Sequence, residues 1–151
     1  MRLIRFRSSL FASPTASFGC PEIKLGVFPP VLAAIGAQRL GGPLAERMIL
    51  TGSTIDAATA EKSGMVTAVL SGENPEEELI EWYQKNLRPL SAFAIRQNAR
   101  VVRIGSGMEA ALQEPLDIIE RQYVDEVLAS HDGNEGIQSF LERRKPVWKD
   151  S

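Results

Sequence analysis

The feature that most constrains this chain is a series of amphipathic helical segments in its C-terminal half. Asn74 and Pro75 predict the start of the first, because proline suits the first position of a helix. Its apolar residues then recur every four positions until Arg88–Pro89 ends it: Leu79, Tyr83 and Leu87. A face of this kind has to be buried against something, so the fold must provide a partner for it.

Three more helices follow the first. Residues 91–104 predict one that ends at Gly105, with Ala92, Ile95, Ala99 and Val102 as its apolar stripe. A longer one is predicted over residues 108–129, started or kinked by Pro115, with an apolar side formed by Leu112, Leu116, Ile119, Tyr123 and Val127. The last opens with Asp132 and Glu135 in the pattern of a capping box and ends in cations before Pro146.

The residues before position 53 show less regular patterning. Residues 16–20 indicate a short strand, and residues 31–40 and 44–50 indicate helices separated at Gly41–Pro43 and stopped at Gly52. Asp56 is predicted to cap a short helix that ends at Gly64, and residues 65–70 favour a strand. This part offers little surface to cover the later helices, which predicts another subunit or another piece of chain as their partner.

Composition excludes several classes of function. The 151 residues suffice for one domain with a buried core, and the net charge of −2 and the lack of a long apolar run predict neither a nucleic-acid nor a membrane partner. Cys20 is the one cysteine and His131 the one histidine, which excludes an internal disulfide and a Cys/His metal site. Cys20 is interpreted as a small buried residue and His131 as a solvated loop residue. Chemistry must then rest on carboxylates, backbone groups or a borrowed cofactor.

The N-terminus allows two interpretations. Residues 1–21 contain Arg2, Arg5 and Arg7 and no acidic residue, which is the composition of a mitochondrial transit peptide. The alternative, favoured here, is the ordinary start of a reading frame, and the cysteine content then favours the reducing cytoplasm.

Four segments, taken in order, carry a family resemblance. FGCPEIKLG at residues 18–26 resembles the FGxPExxLG motif of the crotonase family, the enoyl-CoA hydratases and isomerases. GAQRL at 36–40, ILTGSTIDAATAEKSGMV at 49–66 and EGIQSFLERRKPVW at 135–148 are similar to its later motifs. The resemblance implies an α/β crotonase (ClpP/crotonase-like) fold, truncated to the last part of the ββα spiral and a mainly helical C-terminal region. Residues 1–10 match nothing in the family, residues 11–70 correspond to the end of the spiral core, and residues 71–151 to a helical oligomerisation region.

The resemblance assigns Glu22 to one of two glutamates that share acid and base roles in hydrating an α,β-unsaturated CoA thioester. The alternative for Glu22 is a carboxylate that only serves a helix N-terminus. The family's other glutamate and the two N–H donors of its oxyanion hole belong to an N-terminal half that these residues do not match. The resemblance therefore implies little or no activity for this chain alone, as a non-catalytic self-associating fragment or with the other half supplied separately. A Δ3-Δ2 isomerase with a single glutamate is a further alternative.

The residues after Glu22 bear on the substrate. Pro30 occupies a position where the family usually has a glycine that helps to hold water, and proline has no N–H to donate. GVFPP is most similar to the cyclohexa-1,5-diene-1-carbonyl-CoA hydratases, which implies a cyclic dienoyl thioester. Leu25, Phe28 and Pro30 are then candidate acyl-site residues, although core packing explains Leu25 and Phe28 equally well.

The closing motif bears on coenzyme A. Phe140 and Arg143 match a family pattern that contacts coenzyme A; the alternatives are a core phenylalanine beside Ile137 and Leu141, and an arginine at a helix end. Coenzyme A is expected only as part of the substrate, with no other cofactor or metal. The resemblance also implies that the chain forms trimers or hexamers, as members of the family do.

Overall fold

The computed structural model describes residues 3–6, 9–71, 73–107, 110 and 112–151, and these are mostly helical. They divide into two compact units. Unit 1 comprises Met1–Phe18 and Ile55–Glu109, and unit 2 comprises Gly19–Thr54 and Ala110–Ser151. Both units combine residues from the two halves of the chain. The predicted boundaries at residues 10 and 70 stay a prediction about how the chain corresponds to the family.

Unit 1 is built on a small three-stranded sheet. β1 (Leu3–Phe6) pairs antiparallel with β2 (Ser9–Ala12), and β2 pairs in parallel with β5 (Ala68–Val69). Phe11 and Ala12 of β2 are almost completely buried. The sequence predicted a longer strand over residues 65–70, but only two of these residues have strand geometry, although Thr67 and Leu70 also donate backbone hydrogen bonds to β2.

The helices of unit 1 begin where the sequence predicts, and α3 and α4 each end about two residues before the predicted limit. α3 (Ala57–Lys62) is capped by Asp56, whose carboxylate accepts the N–H of Thr59 at 2.8 Å. α4 (Pro75–Asn86) begins with its proline, and α5 (Ala92–Gly105) is capped by Ser91. A two-stranded sheet of β3 (Ser17–Gly19) and β4 (Thr54–Asp56) includes the predicted strand near residue 18.

The apolar faces predicted for α4 and α5 are not buried within the described residues. Neither helix has a buried residue, and Val102 of the predicted stripe is 67% exposed. The aromatic contact to the sheet is made by Trp82, whose ring meets Phe11 edge to face at a centroid distance of 5.0 Å. The predicted Tyr83 face is only partly covered by the described residues, and its predicted partner, another subunit or another piece of chain, stays a prediction.

Unit 2 packs helices around a short 3₁₀ turn, Pro21–Leu25. α1 (Pro30–Leu40) and α2 (Gly42–Thr51) lie close together, because a Cβ at Gly36 would be 3.1 Å from the Cβ of Ala45. α6 (Glu114–Gln122) packs on α1, and α7 (His131–Leu141) packs on the 3₁₀ turn.

The long helix predicted over residues 108–129 is interrupted. Met108, Glu109 and Ala111 lie outside the described residues, and α6 begins at Glu114 with Pro115 in its first turn. From Tyr123 to Val127 the backbone is π-helical, and Leu128 N–H donates to the carbonyl of Tyr123. Sequence periodicity does not detect such a π segment, because one i to i+5 turn barely changes the spacing of the apolar residues.

None of the helices in the described part of the chain combines the length and the apolar character that a bilayer span needs.

Candidate active site around Glu22

Glu22 lies in a tight turn whose ends are set by the residues beside it. Pro21 opens the 3₁₀ turn, and Gly26 closes it in the left-handed conformation at a φ of 69°. Gly26 N–H donates to the carbonyl of Ile23 at 3.1 Å, and Val27 N–H donates to that of Glu22 at 3.3 Å. The positive φ explains the glycine of the motif, because residues with a Cβ rarely adopt it.

The Glu22 carboxylate has an unusual environment. The residue is half-buried, and its Oε2 atom is inaccessible to water without a hydrogen-bond partner among the described residues. Burying a carboxylate oxygen without a donor is unfavourable, and a catalytic role is one explanation for such an atom.

Cys20 precedes this turn and is half-buried. Burial raises the pKa of its thiol, and the negative charge of Glu22 raises this pKa further. A thiol in this environment stays protonated at neutral pH, which agrees with the interpretation of Cys20 as a small packed residue without a nucleophilic role.

The loop after α2 contains Ser53, a residue that the sequence analysis did not single out. A Cβ at Gly52 would lie 3.0 Å from Cγ2 of Ile23 and 3.5 Å from the carbonyl oxygen of Cys20. The next residue, Ser53, has a buried Oγ that also lacks a hydrogen-bond partner within the described residues. Gly52, the glycine of the LTG segment, was the sequence signal for this contact, because it allows a close approach between the end of α2 and the turn.

Of the three candidate acyl-site residues, Leu25 ends the turn, and Phe28 and Pro30 follow it. Leu25 and Pro30 are half-buried, and Pro30 is the first residue of α1, where a missing N–H has no cost to the helix. Phe28 is half-buried, with its ring edge to face against Tyr123 of the π-helical segment at 5.3 Å. Phe28 therefore has a packing partner, as the alternative interpretation required.

Phe140 and Arg143 lie at the other end of α7 and at the surface. Phe140 is 66% exposed and Leu141 is exposed beside it, so the core alternative for Phe140 is wrong for this chain. Arg143 follows the helix with a φ of 54°, and its N–H donates to the carbonyl of Phe140 at 3.2 Å. Within the described residues its guanidinium has no ion-pair partner.

The start of α7 differs from the predicted capping box. Ser130 is the N-cap, and its Oγ accepts the N–H of Gly133 at 2.9 Å. His131 is the first residue of α7, not a loop residue, and its Nδ1 lies 3.0 Å from Asp132 Oδ1. The acidic side chains were assigned wrongly because Asp132 and Glu135 bind the C-terminal tail: Asp132 accepts the N–H of Lys149, and Glu135 accepts that of Val147.

Two of the sequence motifs meet at the Glu22 turn. A Cβ at Gly136 would overlap the backbone carbonyl of Leu25, and one at Gly26 would lie 2.6 Å from the carbonyl oxygen of Asp132. Gly26 on the turn and Gly136 on α7 therefore allow the helix and the turn backbone to touch directly. Among the described residues no group of three or more His, Cys, Asp and Glu side chains is placed to hold a metal ion.

Comparison with known proteins agrees with these motifs. Residues 9–151 match the family model for enoyl-CoA hydratase/isomerase. The chain belongs to the enoyl-CoA hydratase/isomerase family. The residues before position 9 lie outside the match.

Individual relatives support this assignment. The chain is 36% identical to the cyclohexa-1,5-dienecarbonyl-CoA hydratase of Thauera aromatica over 140 residues, which are 93% of this chain and 53% of that protein. It is 37% identical to the 2,3-dehydroadipyl-CoA hydratase of Escherichia coli K12 over 144 residues, 91% of this chain and 53% of that protein. The chain thus spans about half the length of the curated relatives that it matches.

Solved structures establish the fold. The carnitinyl-CoA dehydratase of Mycobacterium avium 104 superimposes with a TM-score of 0.77 at 24% identity, covering 93% of this chain and 55% of that one. The predicted crotonase fold is therefore confirmed.

Proposed function

We propose that Glu22 is an acid/base carboxylate in the hydration of an α,β-unsaturated acyl-CoA thioester. The observation that carries the proposal is the buried Oε2 of Glu22, which has no hydrogen-bond partner in the described part of the chain and lies in a turn that contacts α7. Hydratases among the relatives, including one named for a cyclic dienoyl-CoA, agree with it.

Hydration adds a hydroxyl to the β-carbon and a proton to the α-carbon of the thioester. Glu22 takes part by accepting the proton of the attacking water or by delivering a proton to the α-carbon. Negative charge develops on the thioester oxygen meanwhile, and the family resemblance places the N–H donors that stabilise it in the half of the relatives that these residues do not match.

The substrate is proposed to be a cyclic dienoyl thioester. GVFPP resembles the dienoyl-CoA hydratases, and such a hydratase is among the matched relatives. Leu25 at the end of the Glu22 turn, and Phe28 and Pro30 after it, would line the acyl group. This arrangement is consistent with their half-buried positions.

Coenzyme A is proposed to bind at the C-terminal end of α7. Arg143 offers a guanidinium that is free of ion pairs in the described part of the chain, and Phe140 offers an exposed ring beside it. Arg143→Ala should weaken binding of coenzyme A at least about tenfold, because a charged hydrogen bond to phosphate is lost. Calorimetry with coenzyme A and its 3′-dephospho form measures this, and equal affinity of both proteins for both ligands would exclude Arg143.

A chimaera tests the role of Glu22. Residues 9–151 replace the matching C-terminal part of the E. coli 2,3-dehydroadipyl-CoA hydratase, and turnover is measured with cyclic and linear enoyl-CoA substrates. Glu22→Gln should lower kcat by about 10²–10⁴-fold with little change in KM, since it removes a proton-transfer group but keeps its shape. Glu46→Gln on α2, an exposed carboxyl, is the control and should leave kcat unchanged. An active Glu22→Gln chimaera would refute the proposal.

The isolated chain gives a second test. Each missing oxyanion donor lowers the rate by about 10²–10³-fold, so the 151-residue polypeptide should show no measurable hydration of crotonyl-CoA. Turnover by the isolated chain that depends on Glu22 would show that its own residues stabilise the enolate.

A Δ3-Δ2 enoyl-CoA isomerase is the second candidate, favoured by Pro30. Isomerisation moves one proton between two carbons and needs no bound water, so a position without an N–H donor is no handicap there. A 3-enoyl-CoA offered to the chimaera in D₂O separates the two reactions: isomerisation shifts the double bond without adding oxygen.

Self-association is proposed for the helices whose apolar residues remain exposed. Phe93, Val102 and Ile104 of α5 each have more than half of their surface accessible. The family resemblance favours a trimer or a hexamer as the assembly. Sedimentation at micromolar concentration tests this, and a monodisperse monomer would count against it.

A further inference from the structure

The C-terminal tail folds back onto the start of α7. The Asp132 carboxylate accepts the N–H of Lys149 at 2.8 Å and that of Asp150 at 2.9 Å, and the Asp132 N–H donates to a Ser151 oxygen at 3.0 Å. One residue of α7 thereby fixes the last three residues of the chain.

Glu135 fixes the preceding part of the tail. The Arg144 guanidinium donates to both of its carboxylate oxygens, with Nη2 2.8 Å from Oε2, and Val147 N–H donates to Oε1 at 2.8 Å. Only 14% of the Glu135 side chain is exposed. Arg144 and the Val147 N–H lower the pKa of Glu135 to about 2, so this carboxylate is charged throughout the neutral range. We call Asp132, Glu135 and residues 144–151 the tail clasp.

The tail clasp touches the turn that carries Glu22. A Cβ at Gly26 would lie 2.6 Å from the Asp132 carbonyl oxygen and 3.2 Å from Cζ3 of Trp148. One turn further along α7, Gly136 lies against the carbonyl of Leu25. The backbone of the Glu22 turn is thus in contact with α7 and with the Trp148 ring.

We propose that Glu135 and Trp148 are positioning residues, which hold the turn Pro21–Leu25 so that the Glu22 carboxylate keeps its Oε2 buried, with no partner among the residues that the structure describes. This inference rests on the proposed role of Glu22. A five-residue 3₁₀ turn has weak internal hydrogen bonds. A carboxylate without a partner gains hydration by rotating toward solvent, so contacts outside the turn must restrain its backbone.

Cys20 provides a probe that needs neither substrate nor turnover. It is the one cysteine of the chain and lies beside Glu22. Its alkylation by iodoacetamide follows the thiolate fraction, so the rate at pH 8 and its pH profile report the pKa of this thiol. Glu22→Gln removes the neighbouring charge and should lower this pKa and accelerate alkylation about threefold or more, since one pKa unit is tenfold in thiolate.

Glu135→Gln and Trp148→Ala should each accelerate Cys20 alkylation by about threefold or more at pH 8, while Trp148→Phe, which keeps a ring on Gly26, should restore the wild-type rate. The matched control is Glu142→Gln: Glu142 also binds Arg144, at 2.6 Å from Nε, but accepts no hydrogen bond from the tail backbone. It should stay within about twofold of wild type.

A double-mutant comparison separates positioning from general loosening. If Glu135 acts by positioning Glu22, the pKa shift that Glu135→Gln causes in Cys20 should fall to less than half in the Glu22→Gln background. An unchanged shift would show that the clasp only shields the thiol, and would overturn the proposal.

The proposal also fails if Glu22→Gln leaves the Cys20 profile unchanged, or if Glu135→Gln and Trp148→Ala both alkylate at the wild-type rate. If Glu135→Gln loses its helical circular dichroism signal, the alkylation rates of Trp148→Ala and Trp148→Phe test the proposal in its place. None of these outcomes depends on turnover, so a failure of Glu22 as an acid/base group in the chimaera is recognised separately.

Discussion

The tail clasp of unit 2 and the helices α4 and α5 of unit 1 differ in how far the rest of the chain covers them. α7 is in contact with the Glu22 turn through glycines, and its acidic residues are bound by backbone N–H groups and Arg144. α5 is capped by Ser91, while the Asn74 side chain before α4 makes no cap hydrogen bond, and neither helix has a buried residue among those described. Good local signals are present in both regions, and only one of them has its tertiary partners within the described residues.

This difference shows which kind of sequence signal identifies a partner. The motifs at residues 18–26 and 135–148 contain glycines and charged residues that a particular neighbouring residue requires. The two motifs contact each other in the structure. The apolar periodicity of α4 and α5 predicts that a face needs cover but is silent about what covers it.

The largest expected effect is at Gly136. Gly136→Ala should lower the free energy of unfolding by about 1–3 kcal/mol, because the added methyl overlaps the Leu25 carbonyl and backbone must move. Urea denaturation followed by circular dichroism measures it.

The matched control is Gly105→Ala at the end of α5, where a Cβ meets nothing within 4 Å. It should raise the free energy of unfolding by about 0.5–1 kcal/mol, because alanine loses less conformational entropy in a helix. Equal effects of the two variants would remove the contrast between the regions.

The helix caps should differ in the same direction. Ser130→Ala should cost about 1–2 kcal/mol, because its half-buried Oγ both accepts from Gly133 and donates to the Val127 carbonyl at 2.7 Å. Ser91→Ala removes one exposed bond of 3.3 Å to Ala94 and should cost about 0.5 kcal/mol. Thermal melts of both variants check the order, and a larger loss for Ser91→Ala would contradict it.

Acid should weaken the tail clasp. The pKa of Glu135 is lowered from 4.5 to about 2 in the folded chain, so its charge favours the folded state above pH 4.5, and this stability is lost as pH falls from 4.5 toward 2. Urea titrations at pH 5 and pH 3 should show a smaller loss of stability in Glu135→Gln than in the wild type.

Asp132 and Glu142 also have lowered pKa values, so some loss of stability in acid should remain in that variant. An identical acid dependence of the two proteins would mean that Glu135 is not ionised more readily in the folded chain than in the unfolded one.

The smallest effect on stability is expected on α5. Val102→Gln combined with Ile104→Gln should change the unfolding free energy of the monomer by less than about 0.5 kcal/mol, because both side chains are more than 60% exposed. The same variant should lower the assembly weight in sedimentation if this face is the proposed interface. Lys85→Gln on α4 is the surface control, and a loss of assembly in that variant as well would refute a specific apolar interface.

The sequence predicted the helices well where proline, glycine and capping residues mark their ends. α1, α2, α4 and α5 begin and end within about two residues of the predicted limits, and Asp56 caps α3 as predicted. The family motifs also selected Glu22, which the structure places with a buried oxygen. Local steric rules act on neighbouring residues and can therefore be read along the chain.

By itself, then, the sequence determined the family, the helix limits and the turn that holds Glu22. Only the tertiary structure decided that Asp132 and Glu135 bind the tail and leave the cap of α7 to Ser130, and that a π turn interrupts the predicted long helix. It also decided that Gly52 lies against the Glu22 turn. The physical reason is the range of the interactions. A carboxylate accepts hydrogen bonds from any N–H within about 3 Å, and a donor distant in sequence competes on equal terms with the helix end.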